Sequence, residues 1–412
     1  MLKSPTTMTE QDMLRWIDGL PSEIDAETYD HLAGITIEPQ ELAALRRLDP
    51  MGTEYRRICA ALYARLSGRS DYTPERDERS GLGSTPDIWR QISPYSFKSP
   101  KLVSEFLSSW AAIISALDVE PEQSVIEYGP GSGQALLMLA RCGVRAFGVD
   151  IDADSLDLVR RQSEAMGLDV QLELGAFGEG FAGQRFDRVL FFEAFHHALE
   201  FDKLLLGLHD RLLPGGKLVL CGEPIVEEGQ HASIPFPWGP RMDALSILCM
   251  RNRGWMELGF QRPFLAELMA RCGWSVRHMQ SPVFRANAYI AEPMGDAVRP
   301  GDQIMLPEGW GAPEVTHRWT VAECCRIPLP DRLRATSNLS VTVANYLPTP
   351  KTVTIESGDA RRTRILQPGQ TEDIDIGTTS ASHVSIRTSL TAAPNEPRHL
   401  GIAVLECRIQ PA

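Results

Sequence analysis

The chain has 412 residues, of which 43% are hydrophobic and 23% charged, and it carries a net charge of −13. Such a size predicts two or three domains of ordinary globular composition. The negative balance excludes broad, sequence-independent binding to nucleic acid or anionic membranes, and no apolar run reaches the roughly 18 residues of a membrane span.

The opening stretch MLKSPTTMTEQDM lacks the apolar core of a secretory signal. The eight cysteines form no C-x-x-C pair and several sit in apolar runs, so they read as reduced thiols of a cytoplasmic protein. The adjacent Cys324 and Cys325 receive no role.

The first 120 residues read as helical. EYRRICAALYARL puts Tyr55, Ile58, Cys59, Leu62, Tyr63 and Leu66 on one face. SPKLVSEFLSSWAAIISAL repeats that spacing, with Ser99 as cap and Pro100 in the first turn. The aromatic, Pro-broken WRQISPYSF at 89–97 is a candidate pocket mouth. From about 121 the pattern alternates between strand and helix: SVIEYG, GQALLMLARCG, RAFGVD, ADSLDLVRRQSEAMG, VQLELG, FDRVLFF, FDKLLLGLHDRL, a PGG turn, then KLVLCGE. This alternation predicts a parallel sheet covered by helices on both faces. FLAELMARCG, WSVRHMQ and ANAYIAE complete it with an antiparallel hairpin. An insertion over 224–262 is long enough to act as a lid. From 300 onward short alternating runs such as LSVTVANYL, TVTIES and LGIAVLECRI predict an all-β sandwich. The expected organisation is thus a helical cap (1–120), an α/β sheet domain (121–299) and a β-sandwich (300–412).

VIEYGPGSGQ at 125–134 carries the strongest chemistry. A strand ends at Glu127 or Tyr128, and Gly129, Gly131 and Gly133 then turn into a helix, which lets backbone approach a ligand closely. Asp150 ends the next strand, where an acid can bind both ribose hydroxyls. Loop and acid together predict a nucleoside cofactor. A dinucleotide is disfavoured, because the spacing is G-x-G-x-G and Glu127 would oppose a pyrophosphate while favouring a cationic ligand.

With these residues the sequence resembles the class I S-adenosylmethionine (SAM)-dependent methyltransferases. VIEYGPGSG is similar to their first motif, GVDID to the second, FDRVLFFEAFHH to the fourth strand and LLPGGKLVLCGEP to the fifth. The resemblance covers about 121–292 and implies a Rossmann-like methyltransferase fold with SAM as cofactor. It implies that Glu127, Gly129, Gly131 and Gly133 hold the methionine part, Asp150 and Ile151 the ribose, and Ala176 and Phe177 the adenine. Many members carry an acid where this chain has Ala176; backbone or Phe177 would substitute.

FFEAFHH at 191–197 ends the fourth strand, beside the crevice at the carboxyl ends of the sheet. Methyl transfer to a hydroxyl needs a base, and a near-neutral imidazole suits it. His196 or His197 is therefore the candidate catalytic base, Glu223 a rival, and Glu193 a cofactor-side residue. Adjacent residues on a helix diverge by about 100°, so only one imidazole is expected to face the cofactor. A divalent metal through Glu193 and a histidine is not favoured, because no further ligand is evident nearby; no metal ligand is assigned.

In the insertion, PFPWGPR is expected to expose Phe236 and Trp238 beside Arg241 and Asp243, with Trp255 following. Aromatic faces next to hydrogen-bonding groups suit a sugar. PRHLGIAVLECRI resembles the closing strand of β-sandwich tails on bacterial enzymes of surface-polysaccharide assembly. That resemblance implies a saccharide or glycolipid acceptor. The expected function is O-methylation of a sugar in polysaccharide or glycolipid biosynthesis, without nucleic-acid partners. Two alternatives stay open. One is a small-metabolite or lipid methyltransferase whose sandwich serves homo-oligomer formation; the other is a non-catalytic glycan-binding protein.

Overall fold

The computed structural model describes residues 6–21, 24–80, 99–331, 337–393 and 397–411; the WRQISPYSF segment lies outside the described residues. The chain forms two compact units, 1–262 with 279–290, and 263–278 with 291–412.

The central sheet is built from β1 (Ser124–Tyr128), β2 (Arg145–Asp150), β3 (Val170–Leu174), β4 (Phe186–Phe192), β5 (Leu212–Cys221), β6 (Trp274–Met279) and β7 (Ala288–Pro293). Its order is β6-β7-β5-β4-β1-β2-β3. Every residue of β1 is buried, as expected for a strand covered on both faces, whereas the edge strand β3 is largely exposed. Parallel pairing sets β1 against both β2 and β4, with Glu127 opposite Gly148 and Leu190. The chain winds outward from β1 through β2 to β3, then returns to the other side with β4 and β5. The crevice where this reversal occurs, between the ends of β1 and β4, is where open α/β sheets bind ligands.

The expected PGG turn is not a separate turn. Leu212–Cys221 is one strand whose register against β4 slips between Phe186↔Leu212 and Arg188↔Lys217, so the glycines are taken up in a bulge. Gly215, at φ 78°, supplies the left-handed backbone that the bulge requires.

Helix α1 spans Glu10–Asp18, α2 Ala26–Ala33, α3 Thr53–Ser67 and α4 Pro100–Leu117. Ser99 caps α4 by accepting from the Leu102 amide at 3.3 Å. Leu102, Phe106, Trp110 and Ile113 of α4 pack with Val125, Leu190 and Val219 of the sheet. Arg188 is buried in β4 and ties that core down, donating to the Asp118 carbonyl just beyond α4 at 2.7 Å. Helices α5 (Gln134–Arg141) and α6 (Ala153–Met166) follow β1 and β2, and α7 (Phe201–Gly207) follows β4.

The insertion is not a loose lid. It contains a three-stranded sheet of Ile225–Val226, Leu258–Gln261 and Trp238–Pro240, together with helix α8 (Ala244–Asn252). Phe236 and Trp238, expected to be exposed, are both fully buried. The Trp238 indole donates to the Pro50 carbonyl at 2.7 Å and packs on Tyr55 and Phe201 at ring separations of 5.2 and 4.8 Å. The Tyr55 hydroxyl in turn donates to the Trp238 carbonyl at 2.6 Å. Apolar area decides this outcome: an indole buries on the order of 200 Å², worth at most about 5 kcal/mol, and the indole N–H still finds an acceptor. Helix α3 and the insertion therefore make one core.

In the second unit, α9 (Arg262–Arg271) contributes residues 263–271. Its two main sheets are formed by β8 (Ala297–Val298), β9 (Trp310–Pro313), β10 (Arg318–Thr320), β11 (Cys324–Pro328), β12 (Ser337–Ala344), β13 (Lys351–Ser357), β14 (Ala360–Leu366), β15 (Thr371–Thr379), β16 (His383–Thr388) and β17 (Ala403–Pro411). One sheet runs β9-β10-β17-β12-β15 with β8 also on β17, and the other runs β11-β16-β13-β14. All their pairings are antiparallel. The period-2 residues Val341 and Val343, Ile374 and Ile376, Val353 and Ile355, and Val384 and Ile386 form a shared core. Among the described residues no helix is long and apolar enough to cross a membrane.

Tyr55→Phe removes the hydroxyl that binds the buried Trp238 carbonyl. It is expected to destabilise the protein by about 1–3 kcal/mol in a urea titration. An unchanged midpoint would show that the insertion is not held at this point.

Candidate functional site

The glycine loop leaves β1 at the crevice. Gly129, Gly131 and Gly133 all have positive φ, at 71°, 51° and 77°. At Gly129 a Cβ would approach Ala194 Cβ to 3.1 Å, so a side chain there would press on the turn that follows β4. At Gly133 it would collide with Val159 at 2.7 Å. Two acids flank the loop. Glu127 is 2% exposed, and its Oε2 is buried without a hydrogen-bond partner. Burial and the neighbouring Asp150 charge push its pKa up to about 8. Asp150 accepts from the Asp152 amide at 2.9 Å and the Gly131 amide at 3.4 Å. Burial raises its pKa to about 6 against the effect of those amides. Ile151, just after β2, is half-buried.

Phe177 is half-buried and packs edge-on to Phe191 at 5.4 Å and Tyr128 at 6.4 Å. The Ala176 amide donates to Glu179 Oε2 at 3.0 Å, so an acid does reach this segment, from three residues downstream. A buried, unpartnered carboxylate oxygen beside a cradle of left-handed glycines fits a cationic nucleoside cofactor such as SAM. Glu127 and the glycine loop would hold its charged amino-acid part, and Asp150 its ribose.

Past β4 the chain enters a tight turn. Glu193 adopts φ 51° and pairs with Arg285, which also lies over the Phe106 ring at 4.8 Å. Phe195–His197 then form one turn of 3₁₀ helix. Glu223, just beyond β5 and 1% exposed, anchors this turn. One of its oxygens accepts from the Ala194 and Phe195 amides, each at 3.0 Å; the other accepts from the His196 amide at 3.0 Å and the His196 ring Nδ1 at 2.8 Å. Burial raises its pKa to about 7, opposed by those three amides. Its lone pairs are committed to the turn, which suits an anchor rather than the rival base expected from sequence.

The two imidazoles do not diverge as helical spacing predicted. Their centroids are 4.2 Å apart with planes at 37°, and both enter one buried cluster. His196 Nε2 faces Glu257 Oε2 at 3.7 Å. Burial, reinforced by His197, holds His196 well below the usual imidazole pKa, so the ring is neutral at pH 7. With Nδ1–H given to Glu223, Nε2 carries the lone pair. His197 Nδ1 lies 3.1 Å from Glu78 Oε2 but without the alignment of a hydrogen bond. Burial pulls the His197 pKa down, yet Glu78 and then Glu257 and Glu223 outweigh it and lift it to about 9. Tyr72 donates to Glu78 Oε1 at 2.9 Å.

Of the residues assigned to the acceptor, Arg241 and Trp255 reach this cluster. Arg241 pairs with Glu257; burial pushes the Glu257 pKa up, but Arg241 and the imidazoles hold it below the usual carboxylate range. Trp255 is half-buried, meets the His197 ring edge-on at 5.8 Å and donates to the Arg79 carbonyl at 3.1 Å. Trp238 and Asp243 do not reach it. Trp238 belongs to the core, and Asp243 caps α8, accepting from the Ser246 amide at 2.9 Å. Sequence reasoning missed Glu78 and Glu257. Glu257 left a signal, a lone charge inside the apolar run WMELGF; Glu78 left none.

Glu223→Gln replaces a four-fold acceptor by a group with one acceptor oxygen. At least one backbone N–H of the turn is left facing an amide N–H. The melting midpoint is expected to fall by an amount equivalent to about 2–4 kcal/mol; a fall below 1 kcal/mol would mean that the turn holds itself.

The methyltransferase-domain family matches residues 126–220. The chain is 32% identical over 178 residues to the demethylmenaquinone methyltransferase of Thermus thermophilus, covering 40% of this chain and 80% of that protein. It is 34% identical over 119 residues to the protein-L-isoaspartate O-methyltransferase of Methylorubrum extorquens, covering 27% of this chain and 46% of that one, so it spans under half of that relative. Among solved structures it is similar to magnesium protoporphyrin IX methyltransferase from Synechocystis with bound SAM, at a TM-score of 0.39 and 13% identity over 55% of this chain and 100% of that one. The likeness to the Thermus protein runs through four-fifths of its length, and this chain belongs to the SAM-dependent methyltransferases.

Proposed function

We propose that the protein O-methylates a hydroxyl of a saccharide or glycolipid acceptor, with His196 as general base. The observation that carries this reading is the 2.8 Å bond from His196 Nδ1 to Glu223. It fixes the ring so that Nε2 is the proton acceptor, on the turn that abuts the glycine loop. Bound SAM supplies an electrophilic methyl group. This chain's own residues do the rest. The acceptor hydroxyl gives its proton to His196 Nε2, and Glu223 stabilises the imidazolium that results. Glu127 places a negative charge beside the cationic cofactor, and the buried cluster excludes water.

Two features support a sugar. Trp255 offers a half-buried aromatic face beside His197, which suits the C–H face of a pyranose. The second unit has the antiparallel sandwich whose closing strand resembles those of polysaccharide-assembly enzymes. Eight free thiols support a reducing, cytoplasmic setting for that chemistry.

In protein freed of metal by chelation, His196→Gln is expected to lower turnover on a hydroxyl acceptor by about 10²–10⁴-fold while leaving SAM affinity intact. Near-wild-type turnover would remove the base. A panel of nucleotide sugars, glycans and lipids, read by mass for one added methylene, tests the acceptor. Methylation of lipids alone would favour the alternative substrate class.

Glu127 gives a pH test. Its pKa of about 8 in the protein lies above the usual carboxylate value, so its share of fold stability is present at low pH and lost as pH rises through 8. Binding a cation works in the opposite sense, since it needs the ionised form. SAM affinity measured by calorimetry is therefore expected to rise by up to about tenfold per unit toward pH 8 and then level off. Glu127→Gln should flatten that part of the profile; an equally steep profile in the variant would place the titrating group elsewhere.

A further inference from the structure

The cluster beside the crevice gathers carboxylates and imidazoles in one place. Three buried carboxylates, Glu78, Glu223 and Glu257, with side chains 10%, 0% and 5% exposed, meet one guanidinium, Arg241. Carboxylates gathered in a low-dielectric place are costly without counter-charge. A divalent cation would balance them.

The donors are already gathered. His196, His197 and Glu257 each offer one ligand atom, and these atoms lie within 4.8 Å of one another. His196 Nε2 and Glu257 Oε2 stand at 3.7 Å. Ligands of a tetrahedral ion at bonds of about 2.0–2.1 Å sit about 3.3 Å apart, so closure asks for side-chain movements of about 1 Å. The outer groups are in place as well. His196 gives Nδ1–H to Glu223, and His197 Nδ1, buried and without a hydrogen-bond partner, lies 3.1 Å from Glu78. Carboxylates behind metal-bound imidazoles take this position, because they fix the tautomer and raise ligand basicity. Arg241 works against an ion by sharing Glu257, which makes the site weaker than one with a free carboxylate.

We propose that His196, His197 and Glu257 form a binding site for a divalent transition-metal ion, with Glu223 and Glu78 orienting the two imidazoles. Two nitrogens and one oxygen select a zinc-, cobalt- or iron-type ion over magnesium or calcium, which prefer all-oxygen sites. Such an ion takes the Nε2 lone pair that the base uses, so ion and base occupy His196 at different times. The inference does not rest on the sugar reading, nor on methyl transfer.

The test uses the full chain, stripped with chelator and titrated with Co²⁺. The expected result is one equivalent bound per chain, with visible d–d absorption of nitrogen-ligated cobalt. His197→Gln and Glu257→Gln should each abolish that uptake, whereas the exposed His399→Gln keeps it. Glu78→Gln should weaken it about 10–100-fold. Absence of a one-equivalent site in the wild-type chain, or its survival in both ligand variants, overturns the proposal. If a ligand variant fails to fold, the wild-type chain decides: its melting midpoint must rise saturably with Zn²⁺ at one equivalent, and an unmoved midpoint overturns the site. Failure here leaves the turnover result for His196→Gln untouched, and failure of the base leaves the ion count untouched.

Discussion

One carboxylate organises the functional end of the sheet. Glu223 stands just beyond β5 and accepts four N–H donors from the turn that ends β4. A 3₁₀ turn is too short to satisfy its own backbone amides, and Glu223 fills that need. The same four bonds couple neighbouring strand ends and set the tautomer of His196. They also hold Ala194 where Gly129 must lack a side chain. The glycine in the cofactor loop and the carboxylate beyond β5 are thus two sides of one steric and hydrogen-bonding arrangement.

Burial gives this arrangement its chemistry. Neighbouring histidines on one turn would titrate alike in water. Here His196 faces a committed carboxylate and stays neutral, while His197 faces Glu78 and is drawn toward the cationic form. Environment alone separates two identical side chains into different charge states. Arg241 then limits how negative the cluster becomes, through its pair with Glu257.

The sheet was legible because its signals are local. Apolar runs, the glycine loop and the acid ending β2 lie within about 30 residues, and period and spacing carry them. The sandwich followed from strict alternation, as in Val341 and Val343 or Val353 and Ile355. The insertion was misread for a physical reason. Trp238 sits in a Pro- and Gly-rich stretch that looks exposed, but its burial is decided by Tyr55 and Pro50, more than 180 residues away. Asp243 looked like a sugar contact and is a helix cap, a role that depends on where α8 begins. Glu78 was invisible for the same reason, and Glu257 showed only as a lone charge in WMELGF, since only the folded chain brings them to the histidines.

That division follows how such a site is assembled. The sheet supplies the cofactor crevice from contiguous motifs, because a strand end, a glycine turn and an acid can be adjacent in sequence. On the proposed reading the acceptor side would be closed by segments outside the sheet, here the stretch around Tyr72 and Glu78 and the insertion with Arg241, Trp255 and Glu257. Those segments are held by packing of their own, with Trp238 between α3 and α7. A change of acceptor could therefore come from replacing the insertion's few inward-facing residues while Glu223 and the glycine loop stay fixed, whereas a change at Glu223 would disturb both halves at once.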